Sequence, residues 1–122
     1  MNIDSVVDAA FKLIKGSRYA IAFTEIEKLF EEHGFDFRGD MAISIGIPNV
    51  HVWYEWNKDA VEVLMRLQDR GIVLRDESPL TYYYDGLAPN LPLASASNIR
   101  RKAGYKEEHW FPASLIFMEG AQ

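Results

Sequence analysis

Apolar residues recur at helical spacing in three separate stretches of the chain. Residues 5–15, 25–33 and 58–70 each place hydrophobic side chains three and four positions apart, which is typical of helices with one buried face. Asn57 is a natural N-cap for the third stretch, and Gly71 is a natural stop. The predicted buried face of this helix consists of Ala60, Val61, Leu64 and Leu67. The pattern therefore predicts three main helices.

Strands are predicted between these helices. Residues 19–23 form a short apolar run, and the pair Thr24 and Glu27 then has the spacing of a capping box for the second helix. Residues 41–47 and 50–56 are rich in apolar and β-branched residues, and a turn composition of Gly, Ile, Pro and Asn separates them. We expect a β-hairpin inserted between helices 2 and 3.

A two-stranded ribbon is predicted after the third helix. Residues 72–75 and 80–84 have strand composition, and the turn residues 76–79 join them. From residue 87 onward the pattern becomes irregular, with two prolines and many small polar residues. We expect residues 87–122 to form a C-terminal extension that packs back on the core, with a last strand within 109–117.

The end of this pattern resembles a winged-helix domain. The turn from the last helix into the wing is carried by Leu64, Leu67, Gly71, Ile72, Val73 and Arg75. The return strand of the wing is carried by Tyr82, Tyr84, Asp85 and Gly86. With the preceding helices, the resemblance covers about residues 5–86 and implies an α+β, winged-helix-like fold. The whole chain, 1–122, is then expected to be a single domain.

Two features differ from a standard DNA reader of that superfamily. Residues 35–56 stand where helices 2 and 3 should be joined by a tight turn. The third helix balances three acids against three bases, and Asp59 and Glu62 lie in the turn that usually touches base edges. Carboxylates there repel phosphate, so a solvated helix face is the favoured interpretation.

Composition and charge narrow the class further. The 122 residues are 48% apolar and 25% charged, which suits one hydrophobic core. The absence of cysteine excludes a disulfide framework, a thiolate zinc site and a cysteine nucleophile. No run approaches the roughly 18 apolar residues of a membrane span, and no signal peptide is recognisable. We expect a cytoplasmic protein without membrane contact, and the net charge of −5 argues mildly against nucleic acid.

One basic cluster is nevertheless a candidate nucleic-acid site. It consists of Arg100, Arg101, Lys102 and Lys106. Tyr105 and Trp110 could serve as stacking groups beside a phosphate-contacting arm. The alternative, a solvated loop with weak local ion pairs, is favoured because most charge runs are simply solvated.

The segment 50–56 is the candidate interface. Strand alternation places His51, Trp53 and Glu55 on one face, and the apolar residues of the segment on the other. An exposed aromatic strip of this kind marks an interface, which predicts self-association through the hairpin. A strand buried on both faces, with residues 110–117 folded over it, is the competing hypothesis.

No catalytic or metal motif is present. The three histidines, His33, His51 and His109, lack the spacing of zinc ligands, so neither a metal nor a cofactor is expected. Nucleophile, phosphate-loop and dinucleotide motifs are also missing from the sequence, and no catalytic residue is assigned. His51, Glu55 and His109 are the sole plausible reactive set if the protein is an enzyme.

Three functional hypotheses follow. The leading one is a non-enzymatic interaction module that acts through protein contacts, self-association included. The second is a DNA-binding transcriptional regulator that uses the wing and the basic C-terminal arm. The third is an enzyme of unrecognised type. Charge on the third helix favours the first over the second.

Overall fold

The three predicted helices are present in the computed structural model, which describes residues 2–84 and 86–120. They are α1 (Ile3–Gly16), α2 (Phe23–Glu32) and α3 (Lys58–Asp69), and each buries one apolar face. Two short helices follow, α4 (Leu80–Tyr83) and α5 (Ala96–Arg101). The fold is therefore mixed α+β, as expected.

Six strands form two three-stranded sheets. The strands are β1 (Ile21–Ala22), β2 (Arg38–Ser44), β3 (Val50–Trp56), β4 (Ile72–Asp76), β5 (His109–Trp110) and β6 (Ala113–Phe117). In the first sheet β6 lies between β1 and β4 and is antiparallel to both. In the second sheet β3 pairs with β2 in antiparallel fashion and with β5 in parallel fashion. The hairpin β2–β3 confirms the predicted insertion between the second and third helices.

Side chains cap the first two helices, and the cap of the second differs from the prediction. Asn2 caps α1, because its side chain accepts a 2.9 Å hydrogen bond from the Ser5 backbone N–H. The second helix begins at Phe23, directly after β1, and the Glu25 carboxylate accepts a 2.8 Å bond from the Ala22 N–H. The predicted capping box of Thr24 and Glu27 is therefore wrong. This frees the Glu27 side chain for a different role in the core.

The third helix agrees with its predicted start. Asn57 accepts a 2.9 Å hydrogen bond from the Ala60 N–H, and Leu64 and Leu67 are both buried. Val63 is fully buried in place of Val61, which is half-buried. The helix is therefore rotated slightly further toward Val63 than the apolar pattern alone predicts.

The predicted return strand at residues 80–84 is wrong. Pro79 opens a helical turn there, and the backbone N–H groups of Tyr82 and Tyr83 both donate to its carbonyl. This turn directs Tyr82 into the core, where its hydroxyl accepts from the Phe23 N–H at 3.0 Å and donates to the Ala113 carbonyl. The partner of β4 is β6 instead. Asp85, which was expected to help end the ribbon, lies outside the described residues.

The hairpin begins earlier than predicted. Strand β2 starts at Arg38 rather than Met41, so residues 38–40 also belong to the strand. Gly39 makes this possible, because a side chain there would meet the backbone of Trp56 and Asn57 at 2.7–2.8 Å. The close approach coincides with a bulge, in which Arg38 and Met41 both pair with Trp56.

The C-terminal extension enters both sheets. Residues 109–110 form the edge strand β5, and residues 113–117 form the central strand β6. Leu115 on β6 and Trp110 on β5 are both fully buried. In the described part of the chain, no helix has the length and apolar character needed to cross a membrane.

Candidate functional site

The three residues of the predicted interface strip, His51, Trp53 and Glu55, do not share one exposed surface. Trp53, expected to be exposed, is 4% exposed. Its ring stacks on that of Phe23, with the ring centroids 5.6 Å apart, and the centroid of the Tyr82 ring is 5.0 Å away. The indole N–H groups of Trp53 and Trp56 both donate to the same Glu27 oxygen at 2.8 Å. Trp53 is thus a core residue and not part of a surface patch.

Strand irregularity explains this correction. The register between β2 and β3 shifts three times, and Glu55 has a left-handed backbone with φ of 64°. Strict alternation therefore fails between Trp53 and Trp56, which are three positions apart yet donate to the same carboxylate. Val52 and Trp53 are buried one after the other because both faces of the strand are covered there. On the β5 side, the Trp110 indole donates to the Val52 carbonyl at 3.3 Å. Burial on both faces is therefore correct for this part of β3. The predicted cover differs, because Phe23 and Tyr82 contact the Trp53 ring and β5 pairs with the edge of β3.

His51 and Glu55 remain together and line a cleft of about 330 Å³. The other polar residues that line it are Asp40, Tyr54, Asn90 and Glu108. The His51 Nε2 atom lies 3.4 Å from a carboxylate oxygen of Glu108, without the geometry of a hydrogen bond. Both ring nitrogens of His51 and the hydroxyl of Tyr54 are buried and have no hydrogen-bond partner among the described residues. Unpaired buried groups of this kind are rare in folded proteins.

The cleft has a negative electrostatic character. Asp40, Glu55 and Glu108 contribute three carboxylates, and no Lys or Arg of the described chain lines the cleft. Burial raises the pKa of Tyr54 well above its ordinary value, and the nearby charges of Glu55 and Glu108 raise it further. Like any tyrosine, Tyr54 is a neutral hydrogen-bond donor at physiological pH, and the raised pKa keeps it neutral into the alkaline range. The arrangement suits a positively charged or amine-bearing group.

The reactive set proposed for an enzyme is not assembled. His109 does not line the cleft. Its ring stacks on Tyr105 with centroids 3.5 Å apart, and its Nδ1 lies 2.9 Å from the Glu107 carbonyl. Among the described residues no group of three or more His, Asp or Glu side chains could hold a metal ion. The described residues therefore bring together two members of the set, His51 and Glu55.

The basic cluster lies on and just after α5. Arg100, Arg101, Lys102 and Lys106 are all exposed. Neither proposed stacking group is free, because Trp110 is fully buried and Tyr105 stacks on His109. The Tyr105 hydroxyl also accepts from the Ser95 N–H at 2.8 Å, which fixes the ring. The expectation that Trp110 could stack bases is therefore wrong, and one face of the Tyr105 ring is already occupied by His109.

Two arginines, one on α3 and one directly after it, are engaged within the molecule. Arg66 forms ion pairs with Asp4 and Glu62, and Arg70 pairs with Asp8 at 2.8 Å. Two of these three carboxylates belong to α1, so the arginines fasten α3 to α1. Engaged arginines cannot contact phosphate without breaking these pairs, which disfavours α3 as a DNA-reading helix.

The sequence did not point to an apolar groove beside α3. Its floor combines Ile3, Met41, Val61 and Met65, and its volume is about 380 Å³. Met65 is 54% exposed and Met41 is 40% exposed. Lys58, Asp59, Glu62 and Arg66 line the groove as charged residues. Met65 on the otherwise polar face of α3 was the available signal, but Met41 joins it only through the tertiary fold.

No protein-family model, curated protein or solved structure matches this chain. The assignment of function consequently depends on the geometry of these surfaces.

Proposed function

We propose that this protein is a winged-helix-like interaction module that works through protein contacts. We also propose that its partner is a second copy of the same chain, bound in the apolar groove beside α3 that contains Met41 and Met65. The observation that carries the proposal is the exposed apolar surface at α3. Met65 of α3 is exposed beside Met41 of β2, while Arg66 and Arg70 are paired with carboxylates of the same molecule.

The winged-helix comparison gains support from the order of elements. A short strand, β1, separates the first two helices, and a ribbon strand, β4, follows the third. Strand β6 pairs with β4 where the return strand of the wing is expected. On this interpretation the return strand is residues 113–117 instead of the predicted residues 80–84. Strand β1 then joins the same sheet through β6. On this interpretation residues 77–112 are an enlarged wing, and the hairpin β2–β3 is a second insertion.

Exposed methionines favour a protein surface as the partner. Methionine is flexible and polarisable and is enriched at interfaces, where it adapts to the opposing surface. Two exposed methionines in one groove therefore suit a protein better than a polyanion. The net charge of −5 acts in the same direction, because it repels nucleic acid.

A second copy is favoured by the charges around the groove. Lys58 and Asp59 are adjacent, exposed and without an ion-pair partner in the described part of the chain. A twofold axis through the groove would bring Lys58 of each copy toward Asp59 of the other. A surface that carries both signs of charge in this way is complementary to itself, and twofold dimers are the commonest homo-oligomers.

Sedimentation of two methionine variants tests this proposal. We expect the wild type to dimerise with increasing concentration and Met65→Glu to remain monomeric, because a buried carboxylate would face an apolar partner. Met118→Glu is the matched control, since Met118 is 51% exposed and lies outside the groove. The control should dimerise as the wild type does. A wild type that stays monomeric at high concentration would refute the dimer.

DNA binding through the basic arm is the second candidate function. It is favoured by the exposure of all four cations of the cluster, residues 100–102 and 106. Neutralising them together should abolish binding to DNA and flatten its salt dependence. Fluorescence anisotropy at several salt concentrations measures both effects. Tight binding that survives the change would move the DNA site elsewhere in the protein.

A further inference from the structure

Three cations meet at the end of α1 that is remote from the groove. Lys15 is in the last turn of α1, Arg18 follows the helix, and Arg75 lies on β4. All three are exposed and line one cleft of about 200 Å³, together with Ser17 and Tyr19. Arg75 is about sixty positions away from Lys15 and Arg18 in the sequence, so no charge run reveals the three together. No Asp or Glu of the described chain lines this cleft.

The charges of these three residues are not neutralised. Arg18 and Arg75 have no ion-pair partner among residues 2–84 and 86–120, in contrast to Arg66 on α3. The Lys15 ammonium lies 5.6 Å from the ring centre of Phe11 and 5.1 Å from that of Phe117. Cation–π contacts hold the ammonium in place and leave its full charge. The cleft is therefore a local positive site on an acidic protein.

Helix stabilisation explains one of these cations. A lysine in the last turn interacts favourably with the partial negative charge at a helix C-terminus, equivalent to about half an elementary charge. Lys15 fits this role. Arg18 lies beyond the helix, and Arg75 is brought in from β4, so neither is needed for it. Three full positive charges also exceed what the helix end can balance.

The chemistry of the lining residues identifies the class of ligand. A guanidinium group matches phosphate oxygens with two parallel hydrogen bonds, and two arginines with a lysine are a typical phosphate environment. Tyr19 is 79% exposed at the same cleft, which leaves its ring open for stacking on a planar base. The connecting loop is ordered, because the Ser17 hydroxyl donates to the Tyr19 carbonyl at 2.7 Å and accepts from its N–H at 3.1 Å.

We propose that this cleft binds a nucleotide, with the phosphates between Lys15, Arg18 and Arg75 and the base on Tyr19. The site is independent of the proposed dimer. Lys15 is roughly 18 Å along α1 from Ile3, which lines the groove, given a rise of about 1.5 Å per residue. A nucleotide and a second copy of the chain could therefore be bound at the same time.

An NMR titration of the 122-residue chain with ATP tests the site. We expect saturable shifts of the backbone amides of residues 15–20 and 72–76. The double variant Arg18→Gln/Arg75→Gln should weaken ATP binding about tenfold or more, because each arginine contributes charge-assisted hydrogen bonds. Both side chains are exposed, so the melting temperature should hardly change. Tyr19→Ala should weaken ATP binding and leave the binding of inorganic phosphate unchanged.

The matched control is Arg100→Gln/Arg101→Gln, which removes the same charge from the basic cluster. It should bind ATP as the wild type does. Equal weakening in both double variants would mean non-specific attraction and would overturn the proposal, as would the absence of shifts around the cleft. A labelled single-stranded oligonucleotide distinguishes the source of the phosphate. Oligonucleotide binding that exceeds ATP binding and is lost with Arg18 and Arg75 would support the site and assign the nucleotide to a nucleic-acid chain.

Discussion

In the sheet β1–β6–β4 each strand pair keeps one continuous register, whereas the pair β2–β3 in the other sheet changes register three times. The regular sheet has the fully buried Leu115 on its central strand. The irregular sheet carries the left-handed Glu55, the unpaired polar atoms of His51 and Tyr54, and the acidic cleft. The regular pairing serves stability, and the departures from it create the concave polar surface.

Irregular pairing allows β3 to contribute both to the core and to the acidic cleft. Alternation normally sends neighbouring residues of a strand to opposite faces, of which one is solvated. In β3 both faces are covered at Val52 and Trp53, and the next two residues turn toward the cleft. One strand thereby supplies a core tryptophan and the lining of a candidate site. Four substitutions test this interpretation.

Trp53→Ala should have the largest effect. Loss of the buried indole should cost about 3–5 kcal/mol of unfolding free energy, as for other large core truncations. The reference in the regular sheet is Leu115→Ala, which should cost about 2–5 kcal/mol. Urea denaturation measures both values, and sedimentation should show no change in the mass of the Trp53 variant. A loss of unfolding free energy below about 1 kcal/mol, together with a fall in the sedimenting mass, would mean that Trp53 lies in an interface between two copies.

Tyr82→Phe should have an intermediate effect. The Tyr82 hydroxyl bridges the Phe23 N–H at the start of α2 and the Ala113 carbonyl at the start of β6. Its removal leaves a buried donor and a buried acceptor without a partner, which should cost about 1–3 kcal/mol. Thermal or urea unfolding measures the loss. Tyr84→Phe is the exposed control and should be neutral; an equal loss in both variants would contradict the role given to this bridge.

Glu55→Gly should stabilise the protein slightly. The left-handed region costs a residue with a side chain about 1–2 kcal/mol, and the greater flexibility of glycine in the unfolded chain removes part of the gain. A net increase of about 0.5–1 kcal/mol is expected from these two effects. Glu55→Gln keeps the backbone strain and should show no gain in urea unfolding. A less stable glycine variant would mean that the Glu55 side chain makes a contribution that outweighs the strain.

Tyr54→Phe should not destabilise the protein at pH 7, because the hydroxyl that it removes is buried and has no hydrogen-bond partner in the described structure. Alkaline pH should reveal the difference. Burial raises the pKa of Tyr54 in the folded state, whereas an unfolded tyrosine ionises near pH 10. Tyr54 therefore does not change the free energy of unfolding with pH below about pH 10. Above that pH the unfolded tyrosine loses its proton before the folded one does, so the folded state loses stability.

Urea midpoints between pH 7 and pH 11.5 measure this behaviour. The wild type should lose stability above about pH 10, and Tyr54→Phe should lose less. Burial also raises the pKa of Tyr82, so a residual decline should remain in the Tyr54 variant. Superimposable profiles for the wild type and Tyr54→Phe would show that the Tyr54 hydroxyl is solvated in the folded protein.

Local signals predicted the helices and the hairpin well and the ribbon poorly. Asn57 and Gly71 bracket α3 through interactions within a few residues, and such interactions are visible in sequence. The strand composition of residues 80–84 was equally clear, yet the segment is helical. Pro79 and the two buried hydrogen bonds of the Tyr82 hydroxyl outweigh local strand propensity there.

The candidate sites were less predictable than the fold. His51 and Glu55 were identified from one strand, because a shared strand is a local relation. The remaining lining of their cleft, from Asp40 to Glu108, is assembled across the sheet. Arg18 and Arg75 were not identified at all, since the pairing of β4 with β6 and the packing of α1 beside β6 bring them together.

The sequence by itself determined the three helices, three of the four residues in the buried face of α3, the inserted hairpin and the α+β class. These features depend on periodicity and capping, which act over a few residues. The tertiary structure alone decided which strand returns beside β4, which face of β3 holds Trp53, and which charges remain without a partner. Strand register and ion pairing depend on residues far apart in the chain, so no local pattern specifies them.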